Sequence, residues 1–151
     1  ALSISEDGLA ETDFKGIISD GAQNIVAVYP SDKSLALSSE GVITGLSLQS
    51  EQIGVLGSYS EQLFRTVANV QDGRLVFKSP YAYLKVEIGD EMVKSVSVEG
   101  SESLAGTYTY DAASMTATFV TPEPVSLIPV DGRECFAPGV YYITVLPIIR
   151  I

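Results

Sequence analysis

The chain has 151 residues and a formal net charge of −10, and 46% of its residues are hydrophobic while 19% are charged. This length and balance are typical of one globular domain with a packed core, predicted to span residues 1–151, and not of a disordered segment. The acidic excess argues against a nucleic-acid partner, because a phosphate backbone binds to basic faces, and the lack of an apolar run near ~18 residues argues against a membrane-spanning segment.

Strand patterns begin near the N-terminus, where short alternating segments are separated by Asp-Gly pairs that favour tight turns. Residues 14–19 and 24–29 are predicted to form two strands, joined as a hairpin across Asp20-Gly21. The second of these is a β-branched run that ends at Pro30.

The next segment, residues 41–48, also alternates in polarity, and three of its residues are predicted to be buried: Ile43, Leu46 and Leu48. Residues 49–70 have no clear pattern. Within them, residues 61–67 are compatible with either a short helix or an irregular crossover. A short strand is predicted at residues 75–78, after the Asp72-Gly73 turn.

Two hairpins are predicted in the second half of the chain. The first joins residues 81–88 to residues 92–99, with Leu84, Val86 and Ile88 on one face and Tyr83, Lys85 and Glu87 on the other, followed by inward-facing Val96 and Val98. The second joins residues 106–110 to residues 115–119, and its threonines are expected to share faces: Thr107, Thr109, Thr116 and Thr118.

The last two predicted strands differ in character. Residues 125–129 are interrupted by prolines, which predicts an edge strand. Residues 139–146 are apolar on both sides, which is typical of a central strand. The total of about nine or ten strands, within a range of about 7–10, predicts an all-β fold of the two-sheet Greek-key sandwich type.

The residue types needed for common catalytic chemistry are missing. The chain has no histidine, which excludes Ser-His-Asp and Cys-His designs, and it contains neither a Ser-x-x-Lys motif nor a glycine-rich phosphate loop. The single cysteine, Cys135, allows no intrachain disulfide and is interpreted as a half-buried small hydrophobe. No catalytic, cofactor-binding or metal-ligating residue is therefore assigned, no cofactor is expected, and the chain is not expected to be an enzyme.

Three alternative kinds of site are compatible with the residues present. Two acidic groups, Glu6/Asp7/Glu11/Asp13 and Asp90/Glu91, lack the spacing of a known calcium loop and are better explained as solvated charges. Pairs of carboxylates could serve glycoside hydrolysis, but the pattern gives this no specific support. Tyrosines could stack on sugars, although packing within the sheets explains them better; the candidates are Tyr59, Tyr81, Tyr83, Tyr108, Tyr110, Tyr141 and Tyr142.

Several segments, taken in order, resemble fimbrillin-family domains of Bacteroidetes. The family's apolar strand, Lys-Ser-Val strand and Leu-Ala-Gly-Thr segment have counterparts in residues 82–86, 93–100 and 102–107. Its Gly-x-Tyr-Tyr-Ile-x-Val-Leu-Pro strand is similar to residues 136–147, and residues 25–30 and 41–44 fit more loosely. The resemblance covers about residues 12–147 and transfers no functional residue by position.

This resemblance implies the N-terminal domain, a transthyretin-like β-sandwich, of a pilus subunit, tip or anchor protein. It also implies export to the outer membrane and cell surface, as a lipoprotein whose signal lies upstream of Ala1. The implied partners are other pilus subunits, joined by strand exchange into a homo- or hetero-polymer, and a host or bacterial surface ligand. The alternative function is a carbohydrate- or protein-binding β-sandwich of the cell surface.

Overall fold

The structure, a computed structural model, describes residues 2–4, 14–16, 21, 25–72, 74–100, 104–130 and 132–147. Within these ranges the chain is built from β-strands, with a single 3-10 turn at Glu61–Leu63. The predicted all-β class is confirmed.

The strands are, in chain order, β1 (Leu2–Ile4), β2 (Phe14–Gly16), β3 (Val26–Tyr29), β4 (Ala36–Leu37), β5 (Val42–Leu48), β6 (Glu51–Ile53), β7 (Thr66–Gln71), β8 (Arg74–Lys78), β9 (Ala82–Ile88), β10 (Val96–Val98), β11 (Ala105–Asp111), β12 (Thr116–Glu123), β13 (Val125–Ile128) and β14 (Gly139–Val145). Hydrogen bonding orders them as β12–β11–β5–β4, β10–β13–β6, β3–β7–β8, β14–β9 and β1–β2.

The neighbouring strands are antiparallel, with the exception of β13 and β6, which run parallel. Strand β11 lies between β5 and β12, and those two strands therefore run in the same direction. Beyond the start of β11, the chain continues from β5 into β6 and from β12 into β13. Because β11 no longer lies between them there, β6 and β13 pair directly with each other.

The core lies between the sheets. Strands β5 and β11 contribute Leu46 and Tyr108, while Leu127 of β13 and Ile143 of β14 pack into the same buried cluster. Each of these four side chains is at most 1% exposed. Alternation places polar side chains on the opposite faces of these strands, as at exposed Ser47 and Thr107. The result is a β-sandwich, as predicted.

The strand pairing predicted across Asp20-Gly21 is wrong for the described parts of the two strands, while residues 17–20 and 22–24 of that hairpin lie outside the described residues. Strand β3 pairs with β7, and β2 pairs with β1. A turn motif favours a local chain reversal, but the partner of a strand is decided by which face can be buried. Pairing with β7 places Val26 and Val28 against the core beside Val67.

The predicted hairpin between residues 81–88 and 92–99 is also wrong. Strand β9 pairs with β14 and strand β10 pairs with β13. Most of the predicted inward-facing residues of these two strands are confirmed. Ile88 is buried, and Val86, Val96 and Val98 are half-buried. Leu84 is 38% exposed instead of buried, because this part of β9 lies at the edge of its sheet.

The edge position predicted for residues 125–129 is wrong as well. Strand β13 lies between β10 and β6 and is buried at Val125 and Leu127. Its prolines, Pro124 and Pro129, lie just outside the strand, so every residue within it keeps its N–H for pairing.

Other predictions are confirmed in whole or in part. Strands β11 and β12 form the predicted hairpin, with Thr109 directly opposite Thr118. Strand β14 is mostly buried, as predicted, but its predicted central position is wrong, since it pairs with β9 alone among the described strands. The ambiguous residues 61–67 form one 3-10 turn and then enter β7. Four strands, β1, β4, β6 and β7, are not among the predicted ones, and the predicted strand count is therefore too low.

Candidate functional site: the free edge of strand β9

Strand β9 forms a seven-residue antiparallel ladder with β14 on one side. Among the described strands, none pairs with its other side. The hydrogen-bond partners of β14 show which main-chain groups of β9 point to that unpaired side. Thr144 of β14 binds Gln52 through both its N–H and its C=O, so these groups point away from β9.

In an antiparallel pair, residues directly opposite each other either both point their main-chain groups at each other or both point them away. Thr144 lies opposite Tyr83, and the same alternation applies to Lys85 and Glu87. The N–H and C=O groups of Tyr83, Lys85 and Glu87 therefore point to the free side of β9. They form a row of main-chain donors and acceptors available to an incoming strand.

The far side of β14 is closed by other means. The Gln52 side chain, 1% exposed, donates to the Thr144 carbonyl at 2.7 Å and accepts from the Thr144 N–H at 2.9 Å. Further along, the Gly57 N–H donates to the Val140 carbonyl at 2.7 Å. A side-chain amide thus replaces the main chain of a neighbouring strand and links β6 to β14.

The other edges in the described part of the chain are less suited to strand addition. Strand β12 carries a bulge at Val120 and a proline at Pro122, and both features disturb pairing. Strand β8 has a positive charge at each end, Arg74 and Lys78, which is a common protection of edges. The remaining edge strands have four residues or fewer: β1, β2, β3, β4, β6 and β10. Strand β9 is the longest regular edge described.

The side chains of β9 leave this edge accessible. Lys85 and Glu87 are exposed, and Tyr83 and Leu84 are 37% and 38% exposed, on opposite faces of the strand. The Tyr83 ring stacks on Tyr59 with ring centroids 4.6 Å apart. An added strand would find one apolar face, one charged face and an unpaired main chain.

The tyrosines considered for sugar stacking are mostly part of the core. Tyr81, Tyr108, Tyr110 and Tyr141 are at most 8% exposed, which agrees with the expectation that they pack within the sheets. Tyr59 and Tyr142 are half-buried, and Tyr59 and Tyr83 cover one face of each other's ring.

Two of the buried tyrosines form a hydrogen-bonded pair. The Tyr108 hydroxyl donates to the Tyr81 hydroxyl at 2.9 Å. Burial raises the pKa of both phenols, since it disfavours the charged form. The pair is neutral at physiological pH, and it serves as a satisfied polar contact inside the core.

The first of the two candidate acidic groups lies outside the described residues, and it consists of Glu6, Asp7, Glu11 and Asp13. Asp90 accepts a hydrogen bond from the Met92 N–H at 2.7 Å, which closes the turn after β9. In the part of the chain that the structure describes, no group of three or more His, Cys, Asp or Glu could hold a metal ion.

Cys135 is half-buried, as expected. It lies at a shallow cleft of about 220 Å³, whose walls include Pro129, Phe136 and Tyr141. The other described residues of its walls are mainly apolar.

Sequence reasoning missed the β9 edge because it paired this strand with the wrong neighbour. A hairpin with residues 92–99 would have used one side of β9, and the partnership with β14 requires contacts across more than fifty residues of chain. One signal was present: the exposed face of β9 carries Lys85 and Glu87, and charges of this kind are common at edges.

No helix in the described ranges is long and apolar enough to cross a membrane. The chain was compared with protein-family models, curated proteins and solved structures, and no family model, curated protein or solved structure matches it.

Proposed function

We propose that this chain is a structural or adhesive module of cell-surface fimbriae, of the fimbrillin kind, that assembles with other subunits by strand addition at the β9 edge. The proposal includes a transthyretin-like arrangement of the sandwich, a position at the outer membrane surface and no enzymatic activity. The observation that carries it is the free edge of β9. An assembling module of this type needs an accepting edge and a stable sandwich behind it.

The physical basis is main-chain complementarity. An extended segment beside β9 would bond to the outward N–H and C=O groups of Tyr83, Lys85 and Glu87. Its side chains would alternate between the apolar face, at Leu84 and Val86, and the charged face. Main-chain bonds would supply much of the affinity, and the side chains on the two faces would supply the selectivity.

The accepting role predicts a pattern of amide exchange in the free chain. The N–H groups of Lys85 and Glu87 point to solvent and should exchange quickly, while those of Val86 and Ile88 point to β14 and should be protected. In assembled material the Lys85 and Glu87 amides should become protected. Hydrogen exchange followed by NMR measures both states, and fast exchange of these amides in assemblies would contradict the proposal.

A proline substitution separates assembly from folding. Lys85→Pro removes an N–H that β14 does not use, so the sandwich should fold while strand addition at this point is blocked. Val86→Pro is the matched control, since it removes a bond to β14 and should destabilise the fold.

The measurement is the formation of SDS-resistant concatemers by the chain produced with its native flanking segments in its own cells. The wild type should form such concatemers on the cell surface, and Lys85→Pro should not. A wild type that forms none, or a Lys85→Pro variant that still forms them, would overturn the proposal.

A further inference from the structure

The free edge of β9 carries a charge pattern that is complementary to itself. Lys85 and Glu87 are both exposed and lie on the same face, with Val86 between them. When a second copy of β9 runs antiparallel to the first with Val86 opposite Val86, each Lys85 lies directly opposite the partner's Glu87. We infer that two copies of this chain form a two-fold dimer through their β9 edges, centred on Val86.

The inference rests on the proposed function in one respect, since both require the β9 edge to be open. It adds that the β9 strand of a second copy occupies this edge when no other subunit is bound there. Such a dimer would also shield the edge from unspecific pairing before assembly.

The main-chain geometry fits this register. Lys85 and Glu87 both point their N–H and C=O groups to the free side of β9, as required of residues that face each other in a hydrogen-bonded pair. Val86 points its main-chain groups at β14, as required of the non-hydrogen-bonded pair on the two-fold axis. Each Lys85–Glu87 pair would thus combine main-chain bonds with a cross-strand ion pair.

Neighbouring registers are less favourable. Moving the axis to Lys85 places the two Lys85 side chains opposite each other, and moving it to Glu87 does the same with two carboxylates. Like charges directly opposite each other destabilise a strand pair. The register centred on Val86 is therefore selected by charge.

The apolar face of β9 supports the same register. Leu84, 38% exposed in the single chain, would lie opposite Ile88 of the second copy, and the two Val86 side chains would meet at the axis. This pairing covers apolar surface that β9 leaves open in the single chain.

A comparison with β8 shows that the pattern is not shared by all charged edges. An antiparallel pair of β8 strands centred on Val76 would place Arg74 opposite Lys78 at both ends. The two positive charges at each crossing would repel. Of the β8 and β9 edges, β9 is therefore the one at which charge favours pairing with a second copy of the same strand.

Charge reversal provides the main test. Lys85→Glu places two carboxylates opposite each other, and Glu87→Lys places two ammonium groups opposite each other, so each variant alone should dimerise about tenfold more weakly or worse. Mixing the two variants restores opposite charges at both crossings and should restore a heterodimer. The double variant K85E/E87K should dimerise like the wild type.

The control variants are Lys94→Glu and Glu91→Lys, which make the same charge changes at exposed positions outside β9. Both should dimerise like the wild type. Analytical ultracentrifugation at about 0.15 M salt measures the masses, since exposed ion pairs are weakened by higher salt. Far-UV circular dichroism checks that each variant is folded.

A disulfide trap tests the register directly. In a Cys135→Ala background, Val86→Cys places two thiols at the axis, where opposite Cα atoms are about 4.5 Å apart and a disulfide can form. Leu84→Cys is the control on the same face, because its two copies would be roughly 13 Å apart along the strands. Non-reducing electrophoresis should show a covalent dimer for Val86→Cys alone.

The outcomes of these tests separate the inference from the proposed function. A wild type that is monomeric at its highest soluble concentration, a mixture that fails to dimerise, or equal crosslinking of both cysteine variants would overturn the β9 dimer. Concatemers blocked by Lys85→Pro would then still support the fimbrial proposal. A β9 dimer without concatemers in the native cells would support the dimer and overturn the fimbrial role.

Discussion

Gln52 is a buried polar side chain whose hydrogen bonds replace part of a β-ladder. Its amide satisfies both main-chain groups of Thr144, a residue with no measurable exposure. Gln52→Leu keeps a similar volume but leaves these two buried groups without partners. We expect the free energy of unfolding to fall by roughly 2–4 kcal/mol, measured by urea denaturation.

Gln49→Leu is the matched control for this change. Gln49 lies three residues earlier and its side chain is exposed. The substitution should change the free energy of unfolding by no more than about 0.5 kcal/mol. Equal effects of the two substitutions would show that the contact with Thr144 does not stabilise the sandwich.

Asp111 stabilises the turn between β11 and β12 through its charge. Its carboxylate accepts hydrogen bonds from the Ala113 and Ser114 N–H groups at 2.8 and 3.3 Å. Hydrogen bonding from Ser114 is the main cause that lowers the pKa of Asp111 in the folded state. Because the folded-state pKa is below the unfolded value, the carboxylate contributes stability above the unfolded pKa, and this contribution is lost as the pH falls through the folded pKa.

The free energy of unfolding should therefore decrease below about pH 4, and Asp111 should contribute to this decrease. Asp111→Asn removes the titrating group, so it should lower stability by about 0.5–1 kcal/mol at pH 7 and have a smaller effect at pH 2. Thermal unfolding between pH 2 and pH 7 measures the difference. An equal loss at both pH values would contradict the assigned role of the charge.

Gly106 shows how one residue shapes an element. It lies inside β11 with φ of +113°, a conformation that side-chain-bearing residues rarely adopt, and a Cβ there would overlap the Thr121 carbonyl oxygen. This close approach accompanies the bulge at Val120, where β12 bends.

Gly106→Ala should therefore destabilise the hairpin strongly, by about 3 kcal/mol or more. Gly89→Ala, at a position where a Cβ would meet nothing within 4 Å, is the matched control and should be nearly neutral. Chemical denaturation of both variants checks this prediction. Similar stability of the two would mean that β12 can move away from β11 without cost.

At the level of elements, local pattern identified most strands but not their partners. The hairpin of β11 and β12 was predicted because its two strands are close in sequence and alternate clearly. The pairing of β9 with β14 and of β3 with β7 was not predicted, since each depends on contacts between distant parts of the chain. The Gln52–Thr144 contact spans 92 residues and has no local signal.

At the scale of the whole molecule, dimerisation through β9 would couple stability to concentration. A dimer that binds only folded chains stabilises them more as the concentration rises. We expect the melting temperature of the wild type to increase with protein concentration, and that of Lys85→Glu to increase less over the same range. Differential scanning calorimetry over a wide concentration range measures both, and a constant melting temperature for the wild type would contradict the dimer.

The sequence by itself determined the all-β class, the hairpin of β11 and β12, and the burial of β14, because alternation and apolar content are local properties of the chain. Tertiary structure decided which strands became edges. Strand β13 is enclosed, although its prolines predict an edge, and β9 has one side to which no described strand pairs, although its pattern predicts a hairpin. An edge exists only where distant strands leave one side unpaired, so the candidate site could not be located before the strand partners were known.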